Sequence, residues 1–125
     1  MREGARIEPA VLADVTPNMD IASDMEIFGP VFPLIPFDTE DQAVEIANNS
    51  IYGLSSGLMT SDMNRAFRVE SRLKAGGAVV NGSGGYRHLD QPFGGFKQSG
   101  IGREGISASL EEFSHIKVYV MKGAF

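Results

Sequence analysis

The sequence predicts an α/β fold: a parallel sheet in a three-layer arrangement (strand, helix, strand, helix, strand), then a glycine-rich loop, a short helix and a terminal strand. Three observations carry this expectation. Strand-like and helix-like segments alternate between residues 31 and 81 with short links, the pattern of parallel strands joined by right-handed crossovers. Glycine and proline are segregated, with five of the 6 prolines in residues 9–36 and ten of the 15 glycines in residues 76–105. Near the end, Ile116, Val118 and Val120 alternate with Lys117, Tyr119 and Met121, as in a strand with one aliphatic face.

Val31-Phe32-Pro33-Leu34-Ile35-Pro36-Phe37 has strand composition. Its two prolines cannot donate ladder hydrogen bonds, so it is irregular or lies at an edge. Asp38 or Thr39 caps a helix over about Glu40 to Asn48, with Thr39 and Gln42 fitting a capping box. That helix points Ala43, Val44, Ile46 and Ala47 inward. Tyr52-Gly53-Leu54 turns into a short strand, Ser55 to Thr60. Ser61 or Asp62 caps a second helix with Met63, Ala66, Phe67 and Leu73 on one face, and Gly76-Gly77 ends it. Gly77-Ala78-Val79-Val80-Asn81 is a buried strand. Residues 82–105 are too long for an idle connection in a compact domain, which makes them the functional candidate. Ile106, Leu110 and Phe113 mark a short helix, and Ile116 to Met121 a final strand that needs an edge to pair with, in its own fold or in a neighbour.

With 125 residues, 42% hydrophobic and 22% charged, the chain is sized for one domain and excludes wholesale disorder. The net charge of −5 argues against nucleic acid and anionic membranes as partners. No apolar run approaches the roughly 20 residues of a membrane span. Residues 1–9 lack an apolar core after their charges, so a secretory leader is not expected and the expected location is the cytoplasm. The absence of cysteine excludes disulfides, thiolate metal sites and a cysteine nucleophile within the chain, and two histidines argue against a His-rich metal site. Charge is unevenly spread. Residues 1–64 carry 11 acids and 2 bases, whereas residues 65–125 carry 5 acids and 9 bases. Two oppositely charged faces of one fold, or a basic half that attracts an anionic ligand, both fit.

Gly100-Ile101-Gly102-Arg103-Glu104-Gly105 matches the dinucleotide fingerprint literally. The fingerprint needs a strand before it and an acid about 20 residues after it, and neither is present; the glycines serve turns and close packing. Arg87, beside Tyr86, His88 and Asp90, is either a solvated surface charge or a clamp for an anion, since guanidinium pairs bidentately with carboxylates and phosphates. Glu111 and Glu112 are adjacent and point to different helix faces, so they are no catalytic pair. Gly82-Ser83-Gly84-Gly85 lacks a serine-nucleophile pattern. His115 is read as structural or exposed.

Glu26-Ile27-Phe28-Gly29-Pro30-Val31 and the run Pro92-Phe93-Gly94-Gly95-Phe96-Lys97-Gln98-Ser99-Gly100-Ile101-Gly102-Arg103-Glu104 resemble signature motifs of the NAD(P)-dependent aldehyde dehydrogenase superfamily. Ile7 to Leu12, Ala47-Asn48, Tyr52-Gly53-Leu54, Thr60 and Asn81 agree with it, so the resemblance spans essentially the whole chain. It implies the C-terminal quarter or so of such an enzyme, with residues 1–115 part of the catalytic domain and 116–125 the oligomerisation strand. The implied chemistry is thiolate attack on an aldehyde, hydride transfer to NAD or NADP, and hydrolysis of the thioester. In the family the nucleophile, the general-base glutamate and the Rossmann domain lie upstream of this segment, so the chain alone is expected to be inactive and to bind cofactor weakly or not at all.

Residue by residue, the resemblance makes Glu26 the carboxylate that holds the nicotinamide-side ribose through two vicinal hydroxyls. It makes Phe28 the aromatic against the nicotinamide; without the motif, Phe28 reads as an ordinary core residue. Met25 stands where relatives often carry an acid, which weakens any paired-carboxylate role. Phe93 matches a position lining the substrate tunnel, and Arg87 lies in the loop that shapes substrate choice, in a context similar to branches acting on small, sometimes anionic, aldehydes. The implied partners are a small-molecule aldehyde and further copies of the chain through residues 116–125. Two other readings remain: a stand-alone, non-catalytic module pairing through its terminal strand, and an independent nucleotide binder using the glycine-rich loop.

Overall fold

A computed structural model of the chain describes residues 2–22 and 24–123. A hairpin of β1 (Arg2–Glu3) and β2 (Arg6–Ile7) leads to β3 (Ala10–Leu12), which pairs in parallel with β4 (Val31–Pro33). Next come α1 (Glu40–Asn48), β5 (Ser55–Leu58), α2 (Met63–Glu70) and β6 (Gly77–Val80). After the glycine-rich loop, α3 (Ile106–Glu112) precedes the C-terminal segment. The α/β class with parallel strands and a crossover helix holds: β5 and β6 run parallel, from Ser55 opposite Gly77 to Leu58 opposite Val80, with α2 between them.

The strands form separate pairs, β3 with β4 and β5 with β6, instead of one three-stranded sheet. The expected strand 31–37 shortens to Val31–Pro33. Proline explains the ending: Pro33 has no N–H, the pairing is carried one step further by Leu34 N–H to the Leu12 carbonyl (2.8 Å), and Pro36 follows. Its partner strand, Ala10–Leu12, carries no strand signature beyond three apolar residues.

Capping follows the sequence closely. Thr39 Oγ1 accepts from Gln42 N–H (3.2 Å), and Gln42 Oε1 accepts in return from Asp38 N–H (2.7 Å), one residue upstream of the cap. Asp62 caps α2, accepting from Asn64 N–H and Arg65 N–H. That helix ends at Glu70, well before Gly76. Ser71, Arg72 and Leu73 leave it through successive turn hydrogen bonds. Gly76 has another duty: a Cβ there would overlap the Gly94 carbonyl, so the glycine permits close contact between backbones. The buried face of α2 is Ala66 and Val69, and Phe67, expected inside, is 74% exposed.

Among the described residues, Val15, Val44, Ala66 and Val69 are the buried hydrophobic ones. The chain presents 10233 Å² to solvent, whereas a folded monomer of this mass presents about 6,500 Å². The excess is about 3,700 Å². Residues 116–121 form no strand among the described residues, and their side chains are exposed. A strand exists only with a partner edge, and none of the described residues pairs with this segment. Residues 124 and 125 of the expected oligomerisation segment lie outside the described residues.

Candidate functional site

The second motif and Asp24, two residues ahead of the first, converge on one turn, residues 48–54. The Asp24 carboxylate accepts from Ser50 Oγ (2.9 Å) and from Ile51 N–H (2.8 Å). From the second, Gln98 N–H donates to the Ile51 carbonyl (3.0 Å) and Phe96 N–H to the Gly53 carbonyl (2.9 Å). Ser99 Oγ accepts from Gly53 N–H (3.0 Å). Lys97 Nζ donates to the carbonyls of Asn48 and Ser50, each at 2.9 Å. Lys97 has φ 52°, a conformation that side chains rarely adopt and that surrounding contacts must hold. Asn48 continues the network, donating to the Arg72 carbonyl (2.9 Å) and accepting from Lys74 N–H (2.7 Å).

The glycine-rich loop closes on itself. Phe93 and Glu104 exchange two backbone hydrogen bonds of 2.7 Å, so residues 94–103 form an excursion with its ends joined. Arg103 Nη1 donates to the carbonyls of Gly95 (3.2 Å) and Gly102 (2.9 Å). Gly53, Gly76, Gly94 and Gly95 all sit where a Cβ would strike neighbouring atoms. A 3₁₀ turn, Lys97–Ser99, precedes Gly100, so no strand leads into the literal dinucleotide pattern. The amides of Phe93, Phe96, Gln98, Ser99 and Glu104 are hydrogen-bonded within the chain.

Joining residues 93 and 104 carries Glu104 to Arg87. Arg87 Nη1 lies 3.2 Å from Glu104 Oε1, and its guanidinium carbon is 4.3 Å from the centre of the Phe93 ring. Arg87 and Phe93, singled out separately in the sequence, thus form one unit, and Glu104 is its third member. No spacing in the sequence points to Glu104, because the pairing depends on the return path through Gly94 to Gly102.

Glu26 and Phe28 lie on the segment between Asp24 and β4. The Glu26 carboxylate is exposed. Phe28 is 90% exposed and has φ 50°, so it is no core residue. A ring of this size left in water by a strained backbone fits a surface made to meet a group from outside the segment. Glu26 and Phe28 therefore suit a nicotinamide and its ribose in residue type and exposure.

Other charges are structural. Glu40 receives Arg68 bidentately, at 2.7 and 2.8 Å, with Arg65 and Arg72 nearby. The Arg68 hydrogen bonds hold its carboxyl below the usual range. Glu70 is the opposite case. Burial pushes its carboxyl up, partly offset by the Ser56 hydroxyl, and Oε1 is buried without a hydrogen-bond partner. Among the described residues no group of three or more His, Asp or Glu could hold a metal ion, and no helix is long and apolar enough to cross a membrane.

The sequence matches the aldehyde dehydrogenase family over residues 1–119. It is 49% identical over 122 residues to a betaine aldehyde dehydrogenase of Rhizobium leguminosarum bv. trifolii, covering 97% of this chain and 25% of the relative. The fold superposes on aldehyde dehydrogenase 21 of Physcomitrella patens, solved with the reaction product succinate, with TM-score 0.89 and 40% identity over 99% of this chain and 26% of that one. It also superposes on a Mycobacterium tuberculosis aldehyde dehydrogenase complexed with NAD+, with TM-score 0.81 and 39% identity over 92% of this chain and 23% of that one. The chain thus spans about a quarter of the length of the curated relatives it matches. With the family match over residues 1–119 and similarity running along nearly its whole length, the chain belongs to the aldehyde dehydrogenase family.

Proposed function

We propose that this chain is the C-terminal quarter of an NAD(P)-dependent aldehyde dehydrogenase that oxidises an aldehyde to a carboxylic acid in the cytoplasm. The observation that carries the reading is the near-complete match of the chain to about a quarter of such enzymes, joined to a surface about 3,700 Å² larger than a self-contained domain would show. Residues 1–115 supply part of the catalytic domain. Glu26 accepts hydrogen bonds from the ribose next to the nicotinamide, and Phe28 lays a flat apolar face against the ring. The cofactor, when bound, accepts hydride; NAD+ in a related structure supports its class. Phe93, backed by Arg87, lines the approach to the aldehyde.

The chain has no cysteine, so it holds no thiolate to attack the aldehyde and is inactive alone. Residues 116–125 become a strand on the sheet of a neighbouring subunit. A non-catalytic module pairing through that same strand is the rival. The assay is NAD(P)H formation by the chain alone and by the chain joined to its upstream family segment. Activity only in the joined protein is the expected result. A joined protein that assembles but oxidises no aldehyde favours the rival. Light scattering checks the strand: the joined protein ending at His115 should lose the assembly that the intact one shows.

A further inference from the structure

We propose that Asp24 is a positioning residue: by holding the turn at Ser50 and Ile51, it keeps Glu26 and Phe28 set for the cofactor. The proposal rests on the reading of Glu26 and Phe28 as cofactor-facing residues. The Asp24 carboxylate takes two donors on one oxygen, Ser50 Oγ at 2.9 Å and Ile51 N–H at 2.8 Å. Hydrogen bonds to an ionised acceptor are stronger than neutral ones. The peptide group between Ser50 and Ile51 is bound at both ends. Asp24 takes its N–H, and Lys97 Nζ donates to its carbonyl at 2.9 Å. A peptide group is rigid and planar, so it acts as a fixed spacer between the segment that starts at Asp24 and the glycine-rich loop that carries Lys97. The stretch beyond Asp24 needs such a hold. Among the described residues, none of the chain's hydrogen bonds involves residues 25–28, and the next fixed point is the Pro30 carbonyl, which accepts from Ala10 N–H at 2.9 Å. Phe28 lies inside that stretch at φ 50°, a conformation that relaxes unless its surroundings hold it. A binding surface that is formed only part of the time binds more weakly by that fraction. Freeing Asp24 therefore weakens the cofactor and leaves the aldehyde almost untouched.

The test uses the full-length enzyme, with NAD+ or NADP+, whichever it reduces faster, and butanal as the aldehyde. Asp24→Leu removes the acceptor at similar size and should raise the cofactor KM about tenfold, while KM for butanal stays within about twofold. Asp24→Asn keeps an acceptor oxygen for both donors and should bring the cofactor KM back to within about threefold of the unaltered enzyme. Equal rises in the two KM values, or an Asp24→Asn variant as impaired as Asp24→Leu, would show a merely structural role and overturn the proposal. A cofactor KM unmoved by Asp24→Leu, while Glu26→Gln or Phe28→Ala raises it, overturns the proposal and leaves the cofactor-facing reading standing. If Glu26→Gln and Phe28→Ala both leave the cofactor KM unchanged, that reading falls and the proposal with it. Should Asp24→Leu not fold, Ser50→Ala decides. It removes one of the two donors and should raise the cofactor KM about threefold at constant butanal KM; no rise overturns the proposal.

Discussion

The segment 24–31 and the loop 92–104 meet at the same turn but are held in opposite ways. The loop is fastened along its length by Lys97, Ser99, Arg103 and the Phe93–Glu104 bridge, and its glycines accept backbone neighbours where a Cβ would collide. The segment is fixed at its ends, by Asp24 and by the Ala10 N–H on the Pro30 carbonyl, and between them it leaves Glu26 exposed and Phe28 90% exposed. A glycine-rich loop is the natural suspect for ligand binding. Here it is mainly the internal fastener, while the shorter motif faces outward. Changes in the loop should therefore cost folding, and changes in the segment should cost function in the assembled enzyme.

The largest effect should come from Gly76→Ala, which pushes a methyl into the Gly94 carbonyl. Displacing packed backbone costs about 3 kcal/mol or more, read as a lower denaturant midpoint of the full-length enzyme. Gly29→Ala, in the outward segment, meets Ile27 Cγ2 at 3.6 Å and the Ile27 carbonyl at 3.9 Å, both ordinary contacts, and should cost less than about 1 kcal/mol. Equal losses at the two glycines would erase the distinction. Next comes Glu26→Gln, which removes a charged acceptor worth about 1.5–3 kcal/mol, so cofactor KM should rise roughly ten- to a hundredfold while the unfolding midpoint stays put. Phe28→Ala should likewise change cofactor kinetics and not stability, since its ring is exposed.

Both motifs, both helix caps and the β5–α2–β6 crossover were legible in the sequence. Caps and crossovers are local: Thr39 with Gln42 and Asp62 with Asn64 act within one turn. What could not be read there depends on distant partners. Whether Phe67 or Val69 faces inward depends on what α2 packs against. Whether Ile116 to Met121 becomes a strand depends on an edge that the chain does not supply. The role of Gly76 depends on Gly94, and the pairing of Arg87 on Glu104, 17 residues away. The Phe28 motif was legible only as a resemblance; its strained, exposed backbone is visible only in three dimensions.

A smaller effect sharpens the view of the loop as fastener. Lys97→Met loses two bonds to the carbonyls of Asn48 and Ser50 and should lower stability by about 1 kcal/mol. Smallest is a pH effect at Glu70. Its folded-state carboxyl is raised by burial, so the folded state binds the proton more tightly than the unfolded state. Stability should fall as pH rises from the ordinary glutamate range through the raised value, then level off. Glu70→Gln should flatten that part of a melting-temperature profile; an unchanged profile would mean that the carboxyl is better solvated than its position indicates.

Hydrogen exchange, measured residue by residue on the 125-residue chain and on the full-length enzyme, tests the contrast most directly. The amides of Phe93, Phe96, Gln98, Ser99 and Glu104 are hydrogen-bonded within the chain and should be protected in both proteins. Residues 25–28 and 116–121 should exchange rapidly in the chain and become protected only in the full-length enzyme. Slow exchange of residues 25–28 and 116–121 in the chain alone, or a loop protected only in the full-length enzyme, would contradict the account.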